Sequence, residues 1–215
     1  MKLNFQKKAA EQMCADAEIF YQQIKKRRSV REFKPDPIPD EIIENCLLSA
    51  GTAPNGANLQ PWHFCVIKSQ EVKSELRAAA EVHEHKFYNG GVPEEWTDTL
   101  KHLNTNESKP FLEIAPVLIA IFQKASTHDH EGIERKCYYA KESIGIATGM
   151  LITALHQSGL ATLTHTPSPM NFLNKILDRP SSEKPFLLLI VGYPTDDCEV
   201  PDIEKHGIES IRTYH

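Results

Sequence analysis

Residues 25–31 form a strongly basic segment that could bind an anion. The segment Lys25–Arg31 holds two lysines, three arginines, Ser29 and Val30. A guanidinium is a planar set of donors that pairs with phosphate oxygens. Cations at the end of a helix also complement the negative end of its dipole. These residue types alone are therefore compatible with either a solvated helix end or a phosphate site.

Two further segments offer polar groups to a ligand. Residues 52–62 read TAPNGANLQPW, and their small residues and amides would let the backbone approach a flat ligand. A plain turn before a strand would use the same residues. Residues 164–167 read THTP, which could line a ligand site or simply end a strand with exposed hydroxyls.

Glu84, Tyr88 and Lys109 could recognise a free amino acid. Glu84 and Tyr88 are four residues apart, so a helix places both on one face. A carboxylate suits the ammonium of an amino acid, and a lysine suits its carboxylate. Surface residues of these types are common, so the spacing alone favours ordinary surface.

The sequence does not predict a metal site. The cluster His128–Glu131 lies in a short polar segment without further ligands, and the five cysteines form no CxxC pair.

An odd number of widely spaced cysteines indicates a reducing compartment, and residues 1–8 lack the apolar stretch of a secretory signal. We expect a cytoplasmic protein.

The composition is that of a globular protein and excludes several classes. The hydrophobic fraction of 40% and charged fraction of 25% over 215 residues exclude collagen, a disordered chain and a small disulfide scaffold. A net charge of −5 predicts binding neither to nucleic acid nor to an anionic membrane. The longest apolar runs are too short to span a bilayer.

Hydrophobic periodicity predicts one α+β domain over residues 1–215. A polar stretch at about 81–109 is expected to be a mobile lid, and residues 194–215 an extended tail. The helix at 138–156 is apolar almost all round, which indicates the centre of the fold or a dimer interface. Helices are predicted at 7–26, from Asp40 to Ala50, at 70–87, 138–156 and 171–177. Strands are predicted at 62–68, 115–122, 160–164 and 186–192.

Seven motifs in this order resemble the flavin-dependent nitroreductase superfamily, and within it the iodotyrosine deiodinase branch, including its bacterial members. The resemblance covers residues 22–208. The motifs are RRSVREF, TAPNGANLQPW, EHKFY, KPFLEIAP (109–116), Tyr138-Tyr139, THTPSP and VGYP.

This resemblance implies a nitroreductase-like FMN-binding fold, with a mixed central sheet flanked by helices, in an intertwined homodimer. Loop residues 54–58 would reach the flavin of the other chain. Lys205 stands where the family has a phosphate-binding arginine, and Asn55 where a serine is common. The implied cofactor residues are Arg27, Arg28, Ser29, Arg31, Pro54, Asn55, Gly56, Asn58, Thr164, His165, Thr166 and Lys205.

The resemblance also implies a reaction. Glu84, Tyr88 and Lys109, with Ala57, would bind a halotyrosine, and Thr166 would be the catalytic partner of flavin N5. Reductive dehalogenation by sequential one-electron transfers would release halide and tyrosine. The electron donor would be NAD(P)H or a separate reductase or flavodoxin, and no Gly-rich dinucleotide fingerprint is present.

Two other functions stay open on the same scaffold. A broad-specificity FMN nitroreductase or quinone reductase would have no need of groups that bind a zwitterion. A flavin-binding protein without enzymatic activity would not reoxidise with any acceptor. The trio of Glu84, Tyr88 and Lys109 favours the dehalogenase.

Overall fold

The computed structural model of this chain describes residues 1–91, 95, 100, 103 and 105–215. The segment predicted to be a lid, at about 81–109, therefore lies partly outside the described residues.

The main sheet has five strands arranged around a long C-terminal strand, β7. Strand β7 pairs with β1, β3 and β6, and β3 also pairs with β2, always antiparallel. One isolated parallel bridge, between Ser29 and Thr162, makes the sheet mixed, as predicted. Strands β4 and β5 form a separate hairpin. The strands are β1 (Phe33–Lys34), β2 (Trp62–Ile67), β3 (Val117–Lys124), β4 (Ser126–His128), β5 (Glu134–Lys136), β6 (Ala161–His165) and β7 (Glu183–Pro194).

Seven α-helices are described, and the five that the sequence predicts are among them. Gly56–Asn58 forms a 3₁₀ turn, and Phe87–Gly91 continues α3 as a π-helical turn. The tail predicted to be extended contains one short helix, α7. The helices are α1 (Ala10–Ile24), α2 (Asp40–Gly51), α3 (Gln70–Lys86), α4 (Phe111–Ile114), α5 (Ala140–Gln157), α6 (Phe172–Ile176) and α7 (Ile208–Ile211).

The core lies on both faces of the sheet, because alternate residues of β3 and β7 point to opposite sides. On one face, Ile119 and Leu189 pack with residues of α2 and α5. On the other, Leu118 and Leu188 pack with residues of α3, α4 and α6. Both faces are covered, which explains why these strands read as continuous apolar runs.

A buried lysine fixes α3 against the sheet. Lys73 lies on the inner face of α3, and its side chain is almost fully buried. Its ammonium donates to the carbonyl oxygens of Glu113 and Ala115, both at 2.9 Å. These bonds join the N-terminal half of α3 to the end of α4 and to the residue after it.

Apolar side chains of two helices remain exposed in the single chain. Helix α1 buries none of its residues, and Met13 and Phe20 are about half exposed. Helix α5 is buried along one side, yet Ile146 on its other side is 46% exposed. One side of α5 therefore lies in the centre of the fold, and its other side is exposed in the single chain.

None of the helices among the described residues is long and apolar enough to cross a membrane.

Candidate active site

Residues from separate parts of the sequence meet in a cleft of about 460 Å³. The cleft lies between the end of α3, the end of β6 and the chain that leads into α4. It brings Glu84, Tyr88 and Lys109, which we call the clamp, together with Arg31 and residues 164–167. Its lining consists of Arg31, His83, Glu84, Phe87, Tyr88, Leu100, Leu103, Thr105, Lys109, Phe111, Leu163, Thr164, His165, Thr166, Pro167 and Ser168.

Glu84 and Lys109 form a buried ion pair inside the cleft. Lys109 Nζ lies 3.1 Å from Glu84 Oε2, and the two side chains are 4% and 14% exposed. The same ammonium lies 3.4 Å from Thr105 Oγ1 and donates to the carbonyl of Asn106. A buried charge left without a partner is strongly destabilising. In the free protein, each of these two charges is therefore compensated by the other.

Tyr88 closes one side of this pair. It lies in the π-helical turn after α3, and its ring centroid is 5.3 Å from Lys109 Nζ, a cation–π contact. Its hydroxyl donates to Thr105 Oγ1 at 3.3 Å. The turn includes Gly90, whose φ of +92° suits glycine. Glu84 and Tyr88 thus face the same cleft, as their spacing predicts.

A network that the sequence analysis missed holds Lys109 in place. The backbone N–H of Lys109 donates to Glu81 Oε1 at 2.7 Å. Arg77 donates to Glu81 at 2.8 Å and to Glu113 at 2.7 Å. The spacing of Arg77 and Glu81 along α3 is a sequence signal for part of this network. The remaining bonds join segments far apart in the chain, so no local pattern indicates them.

Residues 164–166, at the end of β6, alternate in exposure beside the cleft. The side chains of Thr164 and Thr166 are exposed, and His165 between them is buried. The His165 ring meets the Phe111 ring edge-on at a centroid distance of 5.7 Å. His165 Nε2 lies 4.0 Å from Glu84 Oε1 and has no hydrogen-bond partner among the described residues.

Burial, together with the smaller effect of the positive charge of Lys109, lowers the pKa of His165 from 6.5 to about 3. The imidazole is therefore neutral at physiological pH. A neutral imidazole carries one N–H donor and one acceptor nitrogen, so it can serve either role toward a neighbour.

The basic segment supplies a donor set that fits a phosphate. Arg27, Arg28 and Ser29 are partly buried, and Arg28 donates to the carbonyl of Pro201. Arg31 lines the cleft. None of the three arginines forms an ion pair with a carboxylate in the part of the chain that the structure describes. Lys205 is exposed and does not line the cleft.

The loop at 54–58 does not line the cleft of its own chain. Its shape is nevertheless well defined. The Asn55 side chain accepts from the Gln60 N–H at 2.8 Å and donates to the Ala53 carbonyl at 3.0 Å. Ala57 has a φ of +51°, and a Cβ on Gly56 would lie 2.9 Å from the carbonyl oxygen of Tyr138. Glycine is thus required at this close approach.

The acidic and histidine cluster at 128–131 has a structural role. It forms the turn between β4 and β5, where the Asp129 carboxylate accepts from Arg135 at 2.7 Å and from the backbone of Glu131 and Ile133. Among the described residues, no group of three His, Cys, Asp or Glu side chains is placed to hold a metal ion.

Burial of neutral His165 should make the protein less stable in mild acid. The unfolded chain binds a proton at this histidine below about pH 6.5, whereas the folded chain does not until about pH 3. Stability therefore falls as the pH drops between these values, by about 2 kcal/mol from pH 6.5 to 5 for this residue. Urea titrations across this range should show a shallower decline for His165→Gln. The exposed His206→Gln should behave as the wild type, and equal slopes for all three proteins would contradict this account.

Comparison with known proteins agrees with the family resemblance of the sequence motifs. The sequence matches the Nitroreductase family over residues 24–193. It is 50% identical to iodotyrosine deiodinase of Haliscomenobacter hydrossis, covering 95% of this chain and 92% of that protein. It is 39% identical to iodotyrosine deiodinase of Nematostella vectensis, covering 94% and 76%. A crystal structure of oxidised iodotyrosine deiodinase bound to FMN and 3-iodo-L-tyrosine matches 91% of this chain and 100% of its own, with a TM-score of 0.79 and 31% identity.

Proposed function

The chain belongs to the nitroreductase family, and we propose that it catalyses the FMN-dependent reductive dehalogenation of iodotyrosine. It is an FMN-dependent oxidoreductase. The observation that carries the proposal is the convergence of Glu84, Tyr88 and Lys109 with Thr166 in one cleft. The cleft thus combines groups for an amino acid with hydroxyls for a flavin edge. Bromo- and chlorotyrosine are proposed as further substrates.

Residues of the basic segment and of β6 would hold FMN. The cations would bind the phosphate, with Arg31 near the pyrimidine edge, and the exposed hydroxyls of Thr164 and Thr166 would lie along the isoalloxazine ring. When bound, FMN supplies the electrons that replace the halogen of the substrate by hydrogen. The full set is Arg27, Arg28, Ser29, Arg31, Thr164, His165, Thr166 and Lys205, with Pro54, Asn55, Gly56 and Asn58 from a second chain.

The clamp would bind the substrate by exchanging ion pairs. In the free protein Glu84 and Lys109 compensate each other. A zwitterionic amino acid offers Glu84 an ammonium and Lys109 a carboxylate, so neither charge is left unpaired. A ligand with only one of the two charges would leave one clamp residue uncompensated. Tyr88 would contact the bound amino acid between them, and Ala57 would approach it from the second chain.

A homodimer would complete each cleft. The loop at 54–58 is ordered but lies outside the cleft of its own chain. The exposed apolar side chains of α1 and of the outer side of α5 offer a surface for a second copy. Burial of this surface would stabilise the dimer through the hydrophobic effect. Electrons would come from NAD(P)H or from a separate reductase or flavodoxin.

The function is tested on the purified protein. We expect one FMN per subunit in a dimer, and release of iodide and tyrosine from 3-iodotyrosine after anaerobic reduction with dithionite. A colourless monomer that does not bind added FMN would contradict the proposal. Reduction of a nitroaromatic without iodide release would favour the broad-specificity nitroreductase.

Thr166→Ala should impair dehalogenation more than nitroaromatic reduction. The Thr166 hydroxyl can donate to flavin N5 or accept from its N–H, so it can serve both redox states. We propose that this contact favours one-electron steps. Loss of about 1 to 2 kcal/mol of this stabilisation would slow iodide release roughly 5- to 30-fold. FMN content should not change, because the phosphate contacts remain.

The control for this experiment is Thr166→Ser, which keeps the hydroxyl and should retain most of the dehalogenase activity. Rates of iodide release and of nitroaromatic reduction are measured on the same preparations. An equal loss of both activities in Thr166→Ala would assign the residue a general role in flavin binding instead.

A further inference from the structure

The side chain of His165 has a nitrogen whose function the proposed reaction does not explain. Its ring is 91% buried, since the side chain is 9% exposed, and Nε2 has no hydrogen-bond partner among the described residues. A buried polar nitrogen without a partner costs roughly 1 to 3 kcal/mol. Such a cost indicates that a partner is engaged in another state of the protein.

The surroundings of Nε2 limit what this partner can be. Phe111 packs against the ring edge-on and offers no polar atom. Glu84 Oε1 lies 4.0 Å away, about 1 Å beyond hydrogen-bond distance. Lys109 is also near, but its ammonium is a donor held by Glu84 Oε2, Thr105 and Asn106. The Glu84 carboxylate is therefore the group that a donor at Nε2 would reach after a small movement.

The present contacts of Glu84 explain why this bond is not yet made. Lys109 holds the carboxylate through Oε2 at 3.1 Å, and no hydrogen bond to Oε1 is formed by the described residues. When a ligand carboxylate takes over Lys109, Glu84 is released from that side. One carboxylate oxygen then turns to the ligand ammonium, and the other is free to accept from His165.

We propose that His165 is a positioning residue for Glu84: in the substrate complex its Nε2–H donates to Glu84 Oε1 and fixes the carboxylate toward the ammonium of the bound amino acid. This inference rests on the proposed function. It gives the side chain of His165 a role separate from any contact that its backbone makes with FMN. The depressed pKa of the imidazole agrees with this role, because a neutral ring keeps one donor without adding a second cation beside Lys109.

The test compares two ligands on two variants of the FMN-loaded protein. His165→Leu removes the donor at similar size, and His165→Gln keeps an amide N–H at comparable reach. The ligands are 3-iodotyrosine and 3-iodotyramine, which lacks the carboxylate. Calorimetric titration gives each Kd, and FMN content and Tm verify that each variant is folded.

We expect His165→Leu to weaken iodotyrosine binding about tenfold, as for the loss of one hydrogen bond to a charged group. Binding of 3-iodotyramine should change less than twofold, because without a ligand carboxylate Lys109 stays on Glu84 Oε2 and the bond from His165 is not formed. His165→Gln should restore most of the affinity. In the background of Glu84→Ala, the His165→Leu change should have little further effect on iodotyrosine, since the acceptor of its hydrogen bond is gone.

Three outcomes would overturn the inference. An equal loss for both ligands would make His165 a packing residue only. Unchanged iodotyrosine affinity in His165→Leu, with normal binding by the wild type, would refute the inference but not the proposed function. If the wild type binds no iodotyrosine, the proposed function fails and the inference fails with it.

A second measurement does not depend on affinity or on a variant. Nitrogen NMR of the histidine-labelled, FMN-loaded protein with saturating iodotyrosine reports which ring nitrogen of His165 carries the proton. We expect the proton on Nε2. A proton on Nδ1 alone would leave Nε2 an acceptor, which cannot donate to Glu84, and would overturn the proposal.

Discussion

Lys109→Met and Glu84→Gln are each expected to weaken binding of 3-iodotyrosine by about 10- to 150-fold. Each change removes one charge-assisted hydrogen bond to the ligand, which is worth roughly 1.5 to 3 kcal/mol. Lys109→Met also leaves the buried Glu84 carboxylate without its partner, so it should lower the stability of the free protein. FMN content should stay unchanged in both. Titration of the FMN-loaded proteins with the ligand measures the effect.

Lys86→Met is the matched control for Lys109→Met, because Lys86 lies on α3 like Glu84 but is exposed. Its affinity should stay within twofold of the wild type. Because Glu84 and Lys109 interact directly, the double variant should lose less affinity than the sum of the single changes predicts. Wild-type affinity in both single variants would mean that Glu84 and Lys109 do not bind the ligand. It would remove the main support for an amino acid substrate.

Leu188→Ala is expected to reduce the free energy of unfolding by about 2 to 5 kcal/mol. Leu188 is 0% exposed and lies in the core on the α3 side of the sheet. It is paired with Ala120 on one side and with His165 on the other, so it supports the strand that carries the site. The alanine would leave a cavity that the surrounding strands cannot fill.

Leu48→Ala is the control for this change, because Leu48 is 69% exposed in the single chain. Outside a core or an interface, such a substitution changes stability by no more than about 0.5 kcal/mol. Urea unfolding at one fixed protein concentration gives both values. Equal losses in the two variants would contradict the position of Leu188 in the core, or would place Leu48 in a subunit interface.

Much of the fold is predictable from local patterns. The apolar runs of β3 and β7 are long enough to indicate buried strands. The structure confirms both strands, with β3 shifted by two residues and β7 longer at both ends. Helices α2, α3 and α5 follow the 3.6-residue spacing of their apolar positions. These elements are long, so each contains enough residues to show its period.

The three shortest strands were not predicted. Strand β1 has two residues, and β4 and β5 have three each, so none shows a period of its own. Their strand conformation comes from pairing with a partner, which for β1 is the end of β7, far along the chain. The burial of Lys73 was also missed, because its two acceptor carbonyls belong to another segment.

For the site, the chemical types can be read from the residues, and the resemblance gives the family and the candidates Glu84, Tyr88, Lys109 and Thr166. The folded chain adds that Glu84 and Lys109 are already paired and that the buried His165 nitrogen lies 4.0 Å from Glu84. Chemical type and helical spacing are properties of neighbouring residues, so they can be read from the chain. Ion pairs and burial depend on distances between segments that the sheet brings together, and such distances exist only after folding.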